Sequence, residues 1–396
     1  MFEQIEMAPA DAILGLTDAF KKDPNPNKIN LGVGIYKDGD GGTPTLESVR
    51  KAEKRIFELG GTKTYLPIPG SPAFGEAVRT LLFGETHPVI QSRRACTAHT
   101  PGGTGALRVA SDFIRRCFGP VPVWVCNPTW ANHAAIFEAA GLSLKTYPYY
   151  NAEAKNLDFT GMLNALERAE TGEVILLHAC CHNPSGVDLN PDQWREAASL
   201  IKRRGLLPLV DFAYQGFGDG LDEDAAGVRL LCESVDEVLV CTSYSKNFGL
   251  YRERCGALTL VAASEDRAER AFSHVEKAIR ANYSNPPAHG GEIVTTVLND
   301  PELQGLWRNE VTEMRNRING MRVLLVDTLK DLGVTQDFSF IKQQRGMFSF
   351  SGLSREQVAA LRDQYAIYIV GSGRINVAGI TETNVLPLCR AIVDIL

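Results

Sequence analysis

A lysine among hydroxyl and small residues is the first candidate for chemistry. Residues 241–250 read CTSYSKNFGL, so Lys246 comes soon after the end of a predicted buried strand. An amine in partly apolar surroundings has a lowered pKa, which makes it a competent nucleophile towards a carbonyl group. On residue types alone, a lysine on a polar surface loop is the more common arrangement.

An aspartate that directly follows an apolar run is the second candidate. Asp211 comes after the run Leu206–Val210, and the ligands of open α/β sheets gather at the carboxyl ends of strands. A buried carboxylate needs a cationic or protonated partner, and a pyridinium nitrogen is one such partner. Capping of the next helix explains this aspartate equally well on its own. Tyr214 either reaches the same ligand or packs in the core.

A glycine-rich turn is the third candidate. The sequence TPGGTGALR at residues 100–108 precedes a helical pattern that runs to Arg116. The backbone amides of such a turn, together with the helix N-terminus, form a phosphate site, although a purely structural turn has the same composition. The turn matches neither GxGxxG nor the P-loop pattern, which disfavours a nicotinamide-dependent dehydrogenase and a P-loop NTPase.

Alternating strand-like and helical segments between residues 44 and 265 must position these groups. Continuous apolar runs separated by helices indicate parallel strands covered on both faces, so we predict a large α/β domain. One helix is predicted over Pro191–Arg204, with Asn190 as its N-cap and Gly205 after its end. The predicted strands are Val121–Val125, Val174–His178, Leu206–Val210, Val238–Cys241 and Ala257–Val261.

The rest of the chain predicts a second, smaller α+β domain. Its N-terminal segment Asp11–Lys22 has Ile13, Leu16 and Phe20 on one helix face, which packs either on this smaller domain or on a partner subunit. The segments after residue 264 are amphipathic helices at Asp266–Arg280 and Pro301–Leu332, strands near Phe348 and at Ile367–Val370, and a final helix from Glu382.

Composition limits the kinds of partner. The 396 residues include 41 Lys+Arg and 47 Asp+Glu, and the formal net charge of −6 disfavours binding to nucleic acid. No stretch approaches the ~20 apolar residues that cross a bilayer, and the acidic N-terminus does not resemble a signal peptide. Nine scattered cysteines are typical of reduced thiols. We therefore expect a cytoplasmic protein with neither a nucleic-acid nor a membrane partner.

Four neighbouring side chains are of metal-ligand type, namely those of His178, Cys180, Cys181 and His182. Adjacent residues of a strand point to opposite faces. Structural zinc sites also space their cysteines by about two to four residues. No metal site is therefore predicted.

A series of motifs, taken in order, is far more specific than any of these features alone. The motifs begin at Asn30 (NLGVG), Thr64 (TYL), Pro101 (PGGT), Asn127 (NPTW), His178 (HACCHNPSG), Asp211 (DFAY), Ser243 (SYSK), Tyr251 (YRER), Arg280 (RANYSNP) and Ser372 (SGRIN). Together they resemble the fold type I, class I pyridoxal-phosphate aminotransferases over nearly the whole chain. The resemblance is strongest to the aspartate/aromatic subgroup, and within it to the bacterial enzymes that prefer aspartate.

The resemblance implies a homodimer with shared active sites and a chain in three parts. These are an N-terminal arm (1–12), a small domain (13–43 and 312–396) and a large cofactor-binding domain (44–311) with a mainly parallel, mixed sheet flanked by helices. It also implies cis peptide bonds at Asn127–Pro128 and Asn183–Pro184.

The implied cofactor is pyridoxal 5'-phosphate, and the resemblance assigns roles around it. Lys246 is implied as the Schiff-base residue and proton shuttle, and Asp211 as the group that keeps the pyridine nitrogen protonated. Tyr214 and Asn183 are implied to hydrogen-bond the phenolic oxygen of the ring. The other implied cofactor contacts are Gly102, Gly103, Thr104, Ser243 and Arg254, Tyr65 of a neighbouring subunit, and Trp130 on the ring with His133 nearby.

Two arginines are implied to bind the carboxylates of the substrate. Arg374 pairs with the α-carboxylate beside Gly34, and Arg280 of the other subunit meets a carboxylate on the substrate side chain. The remaining implied substrate contacts are Tyr65, Trp130 and Asn183. The implied reaction is a ping-pong exchange in which L-aspartate and 2-oxoglutarate give oxaloacetate and L-glutamate.

The choice of amino donor rests on a mostly polar set of residues at the pocket rim. These residues are Ile35, Lys37, Thr43, Thr64, Thr104 and Asn285, and they favour dicarboxylic substrates. Ile35 and Thr64 depart slightly from the aspartate pattern, so aromatic or dual specificity stays open. A decarboxylase or lyase of the same fold is a further alternative. A regulatory protein on this scaffold is disfavoured because it needs an added basic domain.

Overall fold

The computed structural model describes residues 1–7 and 12–396. Its α-helices are α1 (Ala12–Lys22), α2 (Glu47–Leu59), α3 (Pro72–Phe83), α4 (Pro88–Gln91), α5 (Gly102–Phe118), α6 (Asn132–Ala139), α7 (Phe159–Leu166), α8 (Pro191–Arg204), α9 (Ala226–Ser234), α10 (Glu265–Asn282), α11 (Ala288–Asn299), α12 (Pro301–Asp331), α13 (Arg355–Tyr365) and α14 (Val385–Ile395). Its strands are β1 (Ile29–Asn30), β2 (Ala95–Pro101), β3 (Val123–Asn127), β4 (Leu144–Pro148), β5 (Tyr150–Asn151), β6 (Asn156–Leu157), β7 (Val174–His178), β8 (Leu207–Phe212), β9 (Val238–Ser243), β10 (Cys255–Val261), β11 (Phe348–Phe350), β12 (Ile367–Tyr368) and β13 (Arg374–Asn376). Short 3₁₀ helices cover Phe2–Gln4, Ser339–Gln343 and Val377–Gly379.

The central sheet contains seven strands in the order β2-β10-β9-β8-β7-β3-β4. Strand β10 is antiparallel to both of its neighbours, and the other strands all run in one direction. Asp211 lies opposite His178 on one side and Cys241 on the other, so the carboxyl ends of β7, β8 and β9 meet at one edge. The predicted α/β fold with a mainly parallel, mixed sheet is confirmed.

Successive side chains of the central strands enter two different cores. In β7, Val174 and Leu176 pack in a core with side chains of α5, α6 and α10. Ile175 and Leu177 point the other way, into a core with side chains of α3, α8, α9 and α11. Because both faces of the strand are buried, both sets of positions must be apolar. This two-sided burial produces the continuous apolar runs in the sequence.

Two edge strands, β2 and β4, are absent from the sequence-based prediction. Neither has a continuous apolar run: β2 reads ACTAHTP and β4 reads LKTYP. Each has a partner on one side only. In β4 only Tyr147 is buried, and the buried positions of β2 include the polar residues Thr97, His99 and Thr100. The other strands of the sheet lie within two residues of their predicted bounds, and β7 matches them at both ends.

Two small sheets join parts of the chain that are remote in sequence. Strand β1 pairs in parallel with β12, which places Ile29 opposite Ile367. Strand β11 pairs antiparallel with β13, which places Phe350 opposite Arg374. The long helix α12 contacts α2 and α11 as well as α14 and the 3₁₀ helices Ser339–Gln343 and Val377–Gly379. These two small sheets and the helices packed beside them correspond to the predicted smaller α+β part.

The N-terminal helix α1 packs on this smaller part of the molecule. The side chain of Leu16 lies against Gly32, and the ring of Phe20 meets the ring of Tyr368 edge-on at 5.4 Å between centroids. Of the predicted helix residues, Asp11 and the side chain of Ile13 lie outside the described part of the chain. No helix in the described part is long and apolar enough to cross a membrane.

Candidate active site

A cavity of about 460 Å³ lies at the carboxyl edge of the central sheet. The structure brings many of the predicted site residues into its wall, although they are scattered through the sequence. The predicted residues that line it are Gly34, Gly103, Thr104, Trp130, Asn183, Asp211, Tyr214, Ser243, Lys246, Arg254 and Arg374. Gly102 is adjacent, as the first residue of α5.

Lys246 lies in a turn that follows β9, and its side chain is partly buried. The Nζ atom is 4.9 Å from the centroid of the Tyr214 ring. Burial lowers the pKa of the amine to about 8, although the negative charge of Asp211 opposes the shift. At pH 7 about a tenth of such an amine is neutral, far more than for a lysine in water. The amine is therefore suited to nucleophilic attack on an aldehyde.

Asp211 lies near the end of β8 and is held by a histidine behind it. Its Oδ2 atom is 3.0 Å from Nε2 of His133, and Nδ1 of His133 is 2.8 Å from Oγ1 of Thr129. Burial alone raises the pKa of this carboxyl, but the hydrogen bond from His133 and the neighbouring cationic groups, which include Lys246, lower it below its usual value. Asp211 is therefore an ionised carboxylate aimed into the cavity, which suits a protonated ring nitrogen.

Tyr214 and Asn183 present hydrogen-bond donors to the same cavity. Burial raises the pKa of Tyr214 above its usual value, so the phenol keeps its proton and can donate it. Oδ1 of Asn183 accepts from Nη1 of Arg374 at 3.2 Å, which leaves the amide nitrogen of Asn183 available. The cis peptide bonds predicted at Asn127–Pro128 and Asn183–Pro184 are both present.

The passage from β2 into α5 forms a site for an anion. Gly102 has φ of +72°, and a Cβ atom there would overlap the guanidinium group of Arg254. A Cβ atom on Gly103 would lie 3.1 Å from Cβ of Ser243. No described side chain caps α5, so the amides of its first turn remain available to a ligand. Arg254 donates to the carbonyl of Tyr251 at 2.8 Å and has no carboxylate partner in the described chain.

Arg374 is a buried cation whose counter-ion must come from a ligand. Its side chain is 4% exposed, and its guanidinium carbon lies 4.1 Å from the ring centroid of Phe348. Nη2 donates to the carbonyl of Gly32 at 2.6 Å, whereas Nε has no partner. None of the described carboxylates pairs with it, and an unpaired buried charge is costly. A ligand carboxylate would satisfy both the charge and the free donor.

Two predicted site residues lie away from the cavity of their own chain. Tyr65 is 91% exposed in an extended segment, and Arg280 is exposed near the end of α10, where it contacts Ser284. Of the six predicted rim residues, only Thr104 lines the cavity. The others are Ile35, Lys37 and Thr43, which line a neighbouring groove, Thr64, which is exposed, and Asn285, which is bonded to Ser284.

Seven residues that line the cavity had no predicted role, and Phe348, Ser245 and Tyr251 are among them. Phe348 packs against Arg374 and, by its contact with Gly34, leaves no room for a side chain there. Ser245 and Tyr251 occur inside recognised motifs, which was the only signal for them in the sequence. Phe348 had no such signal, because an aromatic residue in a short strand is typical of any core.

Some side chains of metal-ligand type lie closer together than we predicted from the alternation of side chains along a strand. One atom each of Cys126, His178 and His182 lies within 4.8 Å of the others. Strand β7 ends at His178, so the chain turns and the two histidine rings approach to 4.4 Å. Burial raises the pKa of Cys126 to about 12 and lowers that of His178 to about 3, which keeps both neutral. The absence of a bound metal stays a prediction.

Comparison with known proteins is consistent with this geometry. The sequence profile of the family described as "Aminotransferase class I and II" matches residues 26–392. The chain belongs to the class I and II aminotransferases. It is an enzyme of the aspartate/aromatic subgroup, which transfers amino groups between amino acids and oxo acids.

The relatives of this aminotransferase include both aspartate and aromatic enzymes. It is 54% identical over 396 residues to an aspartate aminotransferase of Escherichia coli, with full coverage of both chains. It is 48% identical over 394 residues to an aromatic-amino-acid aminotransferase of Pseudomonas aeruginosa, covering 100% of this chain and 98% of the other. A crystal structure of an aromatic-amino-acid aminotransferase from Burkholderia pseudomallei, covalently bound to pyridoxal phosphate, matches with a TM-score of 0.98 and 48% identity, covering 100% of this chain and 99% of that one.

Proposed function

We propose that this aminotransferase exchanges the amino group of L-aspartate with 2-oxoglutarate, using pyridoxal 5'-phosphate. One observation carries the proposal: a single cavity combines an amine of lowered pKa, an ionised buried carboxylate and a buried arginine without a counter-ion. These groups match the aldehyde, the ring nitrogen and the substrate carboxylate of such a reaction. The similar enzyme from Burkholderia pseudomallei holds the same cofactor covalently.

The cavity fits the cofactor from its phosphate to its ring. When bound, pyridoxal phosphate supplies an aldehyde that exchanges between amines and a ring that withdraws electrons from the substrate α-carbon. The amides of Gly103 and Thr104, the hydroxyl of Ser243 and the guanidinium of Arg254 would bind the phosphate. Asp211 would hold a proton on the ring nitrogen, and Tyr214 and Asn183 would donate to the ring oxygen.

Lys246 would bind the aldehyde and then transfer the proton. Its neutral amine is the form that attacks an aldehyde and the form that accepts a proton from the substrate α-carbon. The nearby carboxylate of Asp211 is occupied by His133, so Lys246 is the free base of the cavity. Once the amino group of the substrate has displaced it from the aldehyde, the freed amine would take up the α-proton and return it on the cofactor side, and water would then release the oxo acid by hydrolysis.

Arg374 would orient the substrate through its α-carboxylate. Its side chain lines the cavity, and the hydrogen bonds to Gly32 and Asn183 fix the plane of the guanidinium. A substrate carboxylate that pairs with this guanidinium group would hold the substrate α-carbon in a fixed orientation inside the cavity. Phe348 fills the space that a side chain at position 34 would need. Because Gly34 has no side chain, its backbone could approach the same carboxylate closely.

A partner subunit would complete each site, so we propose a homodimer. Tyr65 and Arg280 do not reach the cavity of their own chain, and a second copy would supply them. The segment before Tyr65 also exposes the large apolar side chains of Phe57 and Leu59, which suit burial in an interface. In this arrangement Arg280 of the partner subunit would meet the second carboxylate of a dicarboxylic substrate.

We also propose the three-part division of the chain into 1–12, 13–43 with 312–396, and 44–311. The pairing of β1 with β12 supports it, because it attaches residues 29–30 to the C-terminal part. All seven strands of the main sheet lie between residues 95 and 261, inside the proposed large domain.

Aspartate is the proposed donor, and dual specificity is the second candidate. The 54% identity to an aspartate aminotransferase and the polar side chains of Lys37, Thr43 and Asn285 support aspartate. The apolar Ile35 and the 48% identity to an aromatic-amino-acid aminotransferase favour some activity on aromatic donors.

A donor panel separates these possibilities. The holoenzyme is supplied with 2-oxoglutarate and with aspartate, phenylalanine or tyrosine in turn, and glutamate and the new oxo acid are measured. We expect kcat/KM for aspartate to exceed that for phenylalanine by at least about tenfold, since the distal arginine gains a charged partner. Equal values would establish dual specificity instead. Sustained consumption of aspartate without 2-oxoglutarate, beyond one equivalent per active site, would indicate a lyase or decarboxylase.

A further inference from the structure

The loop of residues 36–43 links a wall of the cavity to helix α2. Just before it, Gly34 lines the cavity. Within the loop, the backbone N–H of Asp38 donates to the carbonyl of Gly42 at 2.9 Å, and Nζ of Lys37 donates to the carbonyl of Gly41 at 2.9 Å. These bonds give the loop its shape. Its position relative to the cavity depends on contacts with other elements.

Arg317 of α12 contacts the loop at two residues, Asp38 and Tyr36. Its Nη2 donates to the carbonyls of Asp38 at 3.0 Å and Ile380 at 2.7 Å, and its Nη1 donates to the carbonyl of Ala378 at 3.4 Å. Its guanidinium carbon also lies 5.7 Å from the ring centroid of Tyr36. One side chain therefore joins the loop to the segment after β13. It forms no ion pair within the described chain.

The loop is also hydrogen-bonded to a residue of the cavity wall. The backbone N–H of Tyr36 donates to the hydroxyl of Tyr251 at 2.9 Å, and Tyr251 lines the cavity. Nδ2 of Asn376 donates to the carbonyls of Val33 and Ile35 at 2.7 and 2.9 Å. Asn376 belongs to β13, the strand that begins with Arg374. Val33 and Ile35 precede the loop, and because Tyr36 follows Ile35 directly, a shift of the loop would strain or move the backbone beside Gly34.

We propose that Arg317 is a positioning residue for amino-acid binding. It holds the 36–43 loop, and through it the backbone at Gly34, in the place where that backbone faces the carboxylate bound to Arg374. Arg317 itself does not line the cavity. The inference rests on the proposed function, since it assumes that the amino acid binds at Arg374.

The test compares Arg317→Met with Arg315→Met in the holoenzyme. Arg315 is a matched control because it is also half-buried on α12 and donates to a backbone carbonyl, that of Gly216 at 3.0 Å, on the side of the main sheet. We expect Arg317→Met to raise KM for aspartate about tenfold with kcat changed less than about threefold. Arg315→Met is expected to leave KM unchanged, and Arg317→Lys to recover part of the loss.

Amide hydrogen exchange provides a second readout that needs neither substrate nor turnover. The N–H of Lys37 donates to Ala378, and that of Tyr36 donates to Tyr251, so both report on the attachment of the loop. We expect faster exchange across residues 36–43 in Arg317→Met than in Arg315→Met. Equal exchange in the two variants, or an equal KM for aspartate, would overturn the inference. If the wild-type enzyme fails to transaminate while exchange differs as expected, the proposed function fails and the attachment of the loop stands.

Discussion

Two opposing influences set the reactivity of Lys246. Burial favours the neutral amine, and the charge of Asp211 favours the ammonium form, with burial the larger effect. Asp211 is itself kept ionised by His133 in spite of its own burial. The cavity thus holds an amine that loses its proton near pH 8 beside a fixed negative charge. This combination is uncommon, and it is what amino-group transfer requires of a protein.

The lowered pKa of Lys246 leads to a prediction about cofactor capture. Below its pKa the amine is protonated and cannot attack an aldehyde, so the rate at which cofactor-free protein captures pyridoxal phosphate should rise with pH. We expect a midpoint near pH 8, not near the ordinary lysine pKa of about 10.5. Stopped-flow absorbance over a pH series measures it.

Asp211→Asn tests the cause of this midpoint. The negative charge of Asp211 raises the pKa of Lys246 and burial lowers it. Without that charge the pKa should fall further, so the midpoint should lie below that of the wild type. Asp222→Asn is the control, since Asp222 is an exposed aspartate paired with Arg229. A wild-type midpoint near pH 10 would contradict the assignment of Lys246 as the reactive amine in a buried site.

Among the elements, the N-termini of two long helices differ in a way that bears on function. Helix α8 has a complete capping box: the side chain of Asn190 accepts from the N–H of Gln193, whose side chain accepts from the N–H of Asn190. Helix α5 begins after Pro101 without a side-chain cap and opens onto the cavity. Helix α8 thus satisfies N–H donors of its first turn with its own side chains, whereas α5 leaves those of its first turn available to an anion.

The cap of α8 leads to a prediction about stability. Asn190→Ala leaves the N–H of Gln193 without its acceptor, so we expect the free energy of unfolding to fall by about 1 kcal/mol. Glu196→Ala is the control, because Glu196 is exposed on the same helix and its side chain makes neither a hydrogen bond nor an ion pair with residues 1–7 or 12–396. Chemical denaturation of the cofactor-free protein compares the two. Equal losses of unfolding free energy in the two variants would show that the capping box adds nothing to stability beyond helix propensity.

At the scale of the whole molecule, the active site depends on contacts between distant parts of the chain. Arg374 belongs to a small sheet with β11, yet it is bonded to Gly32 near the N-terminus and to Asn183 after β7. A single polypeptide thus builds most of the site. Tyr65 and Arg280 are exposed away from this cavity, and in the proposed homodimer a second copy would supply them.

Subunit mixing tests the shared site. In the proposed homodimer, Lys246 and Arg280 of one complete site come from different subunits, so Lys246→Ala and Arg280→Asp are each expected to lose activity on aspartate. When the two variants are mixed and reassociated, each mixed dimer has one intact site. Random pairing should then restore about a quarter of the wild-type activity.

The matched control mixes Lys246→Ala with Arg374→Ala. Both residues line one cavity of one chain, so every site in that mixed dimer lacks one of them and no activity should return. Recovery in the control, or none in the test mixture, would contradict the shared-site arrangement.

The sequence by itself determined the architecture of the main sheet and most of the cavity wall. Strands such as β7 and β9 are buried on both faces, which forces continuous apolar runs that can be recognised locally. Residues such as Lys246, Asp211 and Arg374 lie in motifs that can be read without a structure. The polar edge strand β4 and the aromatic wall residue Phe348 had no such local signal.

Only the tertiary structure decided how these groups behave. The lowered pKa of Lys246, the missing counter-ion of Arg374 and the closeness of His178 to His182 depend on burial and on contacts across the fold. The same is true of Arg317, which on its own is one arginine among many on a long helix. Desolvation and hydrogen bonding are properties of the space around a side chain, and neighbours remote in sequence define that space.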